Sequence, residues 1–422
     1  MPHRDLSTHC PLPWRHLLIA NDGKVAPCCV SQHRYADANG RPYIMHRDSI
    51  ESVWNGDDIR ELRRALSAGE RPAACDDCWI KEARGLTSHR LKMMRVAEQE
   101  HSAYYGIDWS QPAASTVPVN MTVRYGNICN LKCRICVPDA SSRWIEEWNH
   151  AHGGDWLADK VREHAALGND LRREEISDWP RAATGFWTQF KALLPHMREL
   201  TFSGGEPLMI PKQLEMLRWC AESGHAGHID LQFHTNGTVM TDELLWTVLP
   251  RFRSVLLQFS IDGTGEQFEY QRHGASWLEV ESNVRAALAA LGSDHGPRGQ
   301  AVVNLTVNAY NVLYLHRYGQ WFDQLGITVG LNHLVGNPDL DPANLPREVR
   351  ENIADILESS QSEQPVRCYQ WGSSYDEIVA ALRGEPRRED VVPFITATNR
   401  MDAWRGESFT QVFPELARVL GM

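Results

Sequence analysis

Cys129, Cys133 and Cys136 lie within eight residues, in the run CNLKCRIC. This C-x3-C-x2-C spacing lets three thiolates share one loop and hold three corners of a cubic [4Fe–4S] cluster. The fourth iron is then left without a protein ligand. An open iron can bind a substrate or cofactor, whereas a fourth cysteine would suit simple electron storage. A zinc loop, or three buried thiols, is the competing reading of the same spacing.

A loop of this kind must be carried by regular elements. Between about residues 116 and 335, apolar or β-branched runs recur at helical intervals: 117–123, 199–202, 228–234, 254–261, 302–308 and 327–331. Helical patterns fill the gaps at 212–221, 241–249, 277–291 and 312–325. This alternation predicts an α/β fold with a parallel sheet and outer helices, and six strands suit a partial (β/α)6 barrel. In barrels the functional residues follow the C-terminal ends of the strands, and the cysteine loop begins just after the first one. Three domains are expected: 1–115, 116–335 and a mainly helical extension, 336–422. In the extension, Trp404, Phe409, Phe413, Leu416 and Leu420 recur at partly helical spacing and read as a packing surface.

The loops after later strands carry further polar sets. Ser203-Gly204-Gly205-Glu206-Pro207 follows the second strand. Its glycines permit close backbone approach to a ligand, and its carboxylate can pair with an ammonium group. Thr235-Asn236 follows the third strand, Ser260-Ile261-Asp262-Gly263 the fourth, and Asn308 closes the fifth. Strand-end turns that cap the next helix explain such residues equally well. The cysteine loop and the GGEP run, in this order, resemble the radical S-adenosylmethionine (SAM) superfamily. One position departs: Ile135 stands where many members carry an aromatic residue. The resemblance implies that the open iron chelates SAM and that one electron cleaves it to a 5′-deoxyadenosyl radical. It implies that Ser203, Gly204, Gly205, Glu206 and Pro207 grip the SAM amino group. Thr235, Asn236, Ser260, Asp262 and Asn308 would then reach SAM's ribose or carboxylate. Arg272 resembles an arginine that pairs with the SAM carboxylate in auxiliary-cluster relatives; a surface arginine is the alternative.

Cys10 is followed by twelve residues, Gly23, four more residues and Cys28, and a long gap leads to Cys75-Asp76-Asp77-Cys78. Asn21-Asp22-Gly23-Lys24 is a hairpin signal that can bring Cys10 and Cys28 together. The pattern resembles the twitch domain, the short form of the SPASM domain, and implies an auxiliary [4Fe–4S] cluster on Cys10, Cys28, Cys75 and Cys78. Here the module precedes the barrel, whereas in familiar relatives it follows. A structural zinc site with four cysteine ligands is the alternative. Cys29 is either a spare buried thiol or, by resemblance to some radical epimerases, a catalytic hydrogen-atom donor. Cys368 is a candidate substrate-side thiol or further cluster ligand, with structural burial as the other reading. Cys220, within a helical run, reads as core.

The chain has 422 residues, 42% hydrophobic and 23% charged, which is ordinary for a globular protein. Its net charge of −11 argues against a general nucleic-acid binder. No run is long and apolar enough to span a membrane, and MPHRDLSTHC has no apolar signal core, so a cytoplasmic enzyme is expected. Ten cysteines in a reducing compartment are better explained by metal ligation than by disulfides. The expected activity is reductive SAM cleavage and hydrogen abstraction from a small molecule, in oxidation, epimerisation or rearrangement. A flavodoxin- or ferredoxin-type protein would supply electrons. No winged-helix leader-binding domain is evident, which places a peptide maturase second. A zinc-stabilised binding protein is the reading from another class.

Overall fold

The computed structural model describes residues 8–83, 87–99, 117–334, 337–363, 368–369, 373–385 and 390–422. Among the described residues there are eight strands, the later ones alternating with helices: β1 (His16–Ile19), β2 (Val25–Ala26), β3 (Asn120–Arg124), β4 (Glu199–Ser203), β5 (Asp230–Thr235), β6 (Ser254–Ser260), β7 (Gly299–Val307) and β8 (Thr328–His333). The six runs expected from the sequence correspond to β3–β8, and the α/β class holds. The chain divides into two compact units. One comprises Met1–Cys129, Pro138–Gln232 and Arg251–Ser254; the other comprises Asn130–Val137, Phe233–Pro250 and Val255–Met422.

In the first unit the strand order is β2-β1-β3-β4. β1 and β2 form the expected hairpin, antiparallel, with Leu18 opposite Ala26. Gly23 in its turn has φ +78, and a Cβ there would stand 3.5 Å from the Trp179 indole. β1 also pairs in parallel with β3, His16 opposite Asn120. β3 pairs in parallel with β4, Arg124 opposite Ser203. The long β3–β4 connection holds helices that the sequence reading did not assign, including Ile145–His152, Trp156–Ala166 and Thr184–Leu193. Their aromatic residues build a core over the strands. Tyr125 stacks on Trp187 and on Phe202 with centroids 5.5 Å apart in each case, and Phe190 is fully buried beside them. Such offset stacks add to the apolar burial that holds the connection on the sheet. Ile44 of the N-terminal segment joins Leu171 and Ile176 of the connection in a second apolar cluster.

In the second unit the order is β6-β7-β8, all parallel, with Leu257 opposite Ala301 and Leu305 opposite Leu331. The helix Trp277–Leu291 lies where its periodicity placed it. The 241–249 pattern instead forms a π-helical turn, Leu244–Val248, followed by the short turn Leu249–Arg251. Pro250 explains the change, because it lacks the N–H that a continuing α-helix needs. The C-terminal segment is helical over Val392–Arg405, Phe409–Val412 and Pro414–Leu420. Phe409, Phe413 and Leu416 are buried, as the packing-surface reading requires. Among the described residues, no helix is long and apolar enough to cross a membrane.

His16 links the two parallel strands of the first unit. Its Nε2 lies 3.0 Å from Thr122 Oγ1 and its Nδ1 3.2 Å from the Pro27 carbonyl. Burial lowers its pKa to about 4. The unfolded chain therefore binds the proton that the folded chain refuses. Stability is complete above the ordinary value near 6.5 and falls as pH drops from there towards 4, by at most about 3 kcal/mol. Chemical denaturation from pH 7.5 to 4.5 should show this slope, and His16→Gln should flatten it.

Candidate functional site

The first unit brings the four N-terminal cysteines together. Cys10, Cys28, Cys75 and Cys78 line one cavity with His89 and Arg90. Cys10 and Cys78 are buried, and Cys28 and Cys75 are half-buried. Cys10 sits just before the short helix Leu12–Arg15, Cys28 follows β2, Cys75 ends the short turn Ala73–Cys75, and Cys78 lies in the first turn of Asp76–Ala83. Burial pushes the Cys10 thiol well up, and the other three sulfurs raise it further. Burial likewise pushes Cys28 and Cys75 to about 12. Four thiolates packed this way would repel one another and lack hydration. A cationic metal centre removes both costs, since a coordinated thiol is deprotonated outright. The donor set therefore fits an iron–sulfur cluster, which takes one thiolate at each iron. Among the described residues, no three His, Cys, Asp or Glu side chains converge closely enough to share one metal ion.

Cys29 is exposed rather than buried, and its Sγ lies 3.7 Å from His89 Nε2. Partial desolvation by its neighbours opposes ionisation there, but the His89 hydrogen bond and charge, with Arg124, bring its pKa below the ordinary value.

The GGEP run also belongs to the first unit, where it closes on the chain leading to Cys129. Tyr125 N–H donates to Ser203 O (3.1 Å), Gly205 N–H to Gly126 O (3.1 Å) and Glu206 N–H to Ile128 O (2.7 Å). A Cβ on Gly205 would stand 2.0 Å from the Ile128 oxygen. Gly204 has φ +114, and a Cβ there would lie 2.7 Å from Tyr125 N. These glycines are thus required by the backbone of the cysteine loop. Glu206 is 1% exposed, and its Oε1 accepts from Leu208 N–H (3.1 Å), with Pro207 opening a short helical turn. Asn127 Nδ2 donates to Pro138 O (2.7 Å), tying the two ends of the loop.

The second unit holds Cys133 and Cys136, with Cys136 N–H donating to Cys133 O (3.0 Å). Arg272 is buried, not superficial. Its Nη2 pairs with Asp262 Oδ2 at 2.7 Å, and its Nη1 lies 3.8 Å from Cys133 Sγ. The Cys136 hydrogen bond and the Arg272 charge hold the Cys133 thiol below its ordinary pKa. Asp262 Oδ1 accepts from Thr306 N–H (2.9 Å). Two residues expected to face SAM are thus ion-paired with each other beside Cys133. Asn236 Nδ2 donates to Asn130 Oδ1 (2.9 Å), and Asn130 Nδ2 donates to Thr238 Oγ1 (2.9 Å), so this turn grips the cysteine loop. Thr235 Oγ1 accepts from Gly237 N–H (3.1 Å), a strand-end turn bond. Ser260 lies opposite Asn304 in the β6–β7 ladder. Asn308 is fully buried; it donates to Gln271 Oε1 (3.2 Å) and Thr306 O (2.9 Å) and accepts from Tyr310 N–H (2.9 Å). Cys368 bridges Val329 on the β8 edge, and burial raises its pKa. Cys220 is fully buried in Pro211–Glu222.

Two functional candidates were not read from the sequence. Asn130 sits inside the motif and could have been found there. Arg134, also inside it, is 0% exposed and ion-paired with Asp402 and Glu407, each at 2.5 Å. No local pattern marks those partners, because they lie more than 260 residues away.

Residues 10–79 match the family model of the SPASM iron–sulfur cluster-binding domain. The match contains Cys10, Cys28, Cys75 and Cys78, so this segment is a SPASM-type domain. No curated protein matches the chain. Among solved structures, native anSMEcpe with bound AdoMet is similar at 16% identity, over 60% of this chain and 64% of its own, with a TM-score of 0.37. SuiB from Streptococcus suis, bound to S-adenosylmethionine, gives 10%, 60%, 46% and 0.33. The radical S-adenosylmethionine methyltransferase TsrM from Kitasatospora setae, with tryptophan substrate and a SAM analog bound, gives 14%, 62%, 45% and 0.32. The chain thus spans less than two thirds of each.

The Gly205 contact yields a direct test. Gly205→Ala should force the Ile128 carbonyl aside, destabilising the protein by about 1–3 kcal/mol and displacing the loop. Iron retained by the reconstituted variant should fall, while Gly185→Ala, with nothing within 4 Å of its Cβ, should match wild type in both melting and iron.

Proposed function

We propose that the chain is a radical SAM enzyme with one auxiliary cluster in its SPASM-type domain. The C-x3-C-x2-C run, three thiolates in eight residues with no fourth, is the observation that carries this reading. When bound, the cluster and SAM together supply a 5′-deoxyadenosyl radical, which takes hydrogen from an unactivated C–H bond. Several features of the chain support it. Within the first unit, the GGEP backbone fixes the approach to Cys129 through three hydrogen bonds. Within the second, Asn236 grips Asn130, and Arg272 places a buried positive charge against Cys133. A positive charge at a thiolate favours the anion that binds iron. Glu206 supplies a buried carboxylate for an ammonium group, held in place by Leu208 N–H.

Cys10, Cys28, Cys75 and Cys78 are assigned to the auxiliary cluster, on the strength of their shared cavity and the SPASM match. We assign the substrate to the small molecules and the electron supply to a flavodoxin- or ferredoxin-type donor. Deoxyadenosine release accelerated by a precursor peptide, but by no small molecule, would replace that substrate assignment with a peptide.

Anaerobically reconstituted protein should hold about eight irons and equal sulfide, as two [4Fe–4S] clusters require. With dithionite and SAM it should form 5′-deoxyadenosine. Cys133→Ala should abolish that product and retain about four irons, those of the SPASM-type domain. Zinc in place of iron, with no SAM cleavage, would overturn the enzyme reading.

A further inference from the structure

We infer that Asp402 and Glu407, in the C-terminal extension, are positioning residues for the cysteine loop, acting through Arg134. The inference rests on the radical SAM reading and concerns the second unit alone. Arg134 follows Cys133 directly, and its guanidinium is sealed from solvent. Its Nη2 donates to Asp402 Oδ1 and to Glu407 Oε2, each at 2.5 Å, and its Nε to Tyr270 O at 3.1 Å. The Tyr270 ring faces the cation at 3.6 Å.

The carboxylates are themselves fixed. Asp402 Oδ1 accepts from Tyr270 Oη–H (2.8 Å), and its Oδ2 accepts from Phe409 N–H (2.7 Å). Glu407 Oε1 pairs with His273 Nδ1 at 2.5 Å. Gly406, at φ +66, ends the helix Val392–Arg405 and turns the chain so that both acids face one cation. Glu407 N–H then donates back to Asp402 O (3.1 Å).

The same clamp reaches the loop's backbone. Lys132 N–H donates to His273 O (3.1 Å) and Arg134 N–H to Gln271 O (2.8 Å). Between those two acceptors lies Arg272, the residue against Cys133 Sγ. Glu407 therefore holds His273 and Arg134 together, and with them the loop and the Arg272 segment. Stability alone does not explain such a cluster. Replacing a buried ion pair by well-packed apolar residues is often neutral or favourable. A cation enclosed by two carboxylates, a ring and a carbonyl does fix an orientation, and here it fixes the backbone on which a cluster ligand stands.

The test uses the full chain, reconstituted anaerobically. Asp402→Asn/Glu407→Gln should release iron from the three-cysteine loop to a ferrous chelator roughly 10–100-fold faster than wild type, the range for lost outer-sphere support of metal ligands. The iron that Cys133→Ala retains, that of the SPASM-type domain, should leave at the wild-type rate. The electron paramagnetic resonance signal of the reduced loop cluster should respond less to added SAM. Arg134→Lys keeps the charge but loses the fork, and should fall between the two. Glu415→Gln, which breaks an exposed pair with Arg317 in the same extension, should behave as wild type. If the double variant misfolds by circular dichroism, Glu407→Gln alone is read in the same way. Wild-type release rates and an unchanged response to SAM in a folded variant would overturn the inference. Wild-type protein with no SAM-responsive cluster would overturn the functional reading instead.

Discussion

The oxygen of Ile128 occupies the space where a side chain on residue 205 would have to stand. Much of the first unit follows from that approach. The chain entering the cysteine loop lies flat against the turn after β4, close enough for Gly126 and Ile128 to accept from Gly205 and Glu206. Only glycine tolerates such proximity. The strands must then stay in register, since β3 and β4 deliver the two backbones, with Arg124 opposite Ser203. The aromatic stack on Tyr125 and Phe202 serves the same end, filling the volume beside both strand ends.

The cysteines fall into two electrostatic settings. Cys10, Cys28 and Cys75 share one cavity with Cys78, and burial makes these three thiols resist ionisation. Such a site is completed only by a centre that carries positive charge. Cys133 lies instead beside Arg272, with a second buried guanidinium, Arg134, next to it in sequence. Cluster potentials respond to local charge and to hydrogen bonds at sulfur. The two sets of cysteines are thus set apart by their surroundings.

What was legible in the sequence follows from the range of the interactions involved. β3–β8 announced themselves because buried parallel strands are short apolar runs with a helical interval between them. The β1–β2 hairpin was legible through Asn21–Lys24, yet its parallel pairing with β3 was not, because register across such a separation leaves no local trace. The helices of the β3–β4 connection carry mixed, Trp-rich sequence with little periodicity, and they take shape through tertiary packing. The cysteine loop and GGEP were legible because glycine and cysteine have few other reasons to stand at that spacing. Arg272 could be suspected, but its burial depended on Asp262 and Cys133. Asp402 and Glu407 looked like any surface acids, since their partner lies in another segment of the chain.

The pairing of β1 with β3 also has a temporal side. His16 meets Asn120, roughly a hundred residues later in synthesis, which at about 5–20 residues per second is a wait on the order of ten seconds. During that interval one edge of β1 has its antiparallel neighbour β2 but no parallel one, and unpaired strand edges recruit foreign strands. Until β3 emerges, the nascent N-terminal segment therefore presents that edge open.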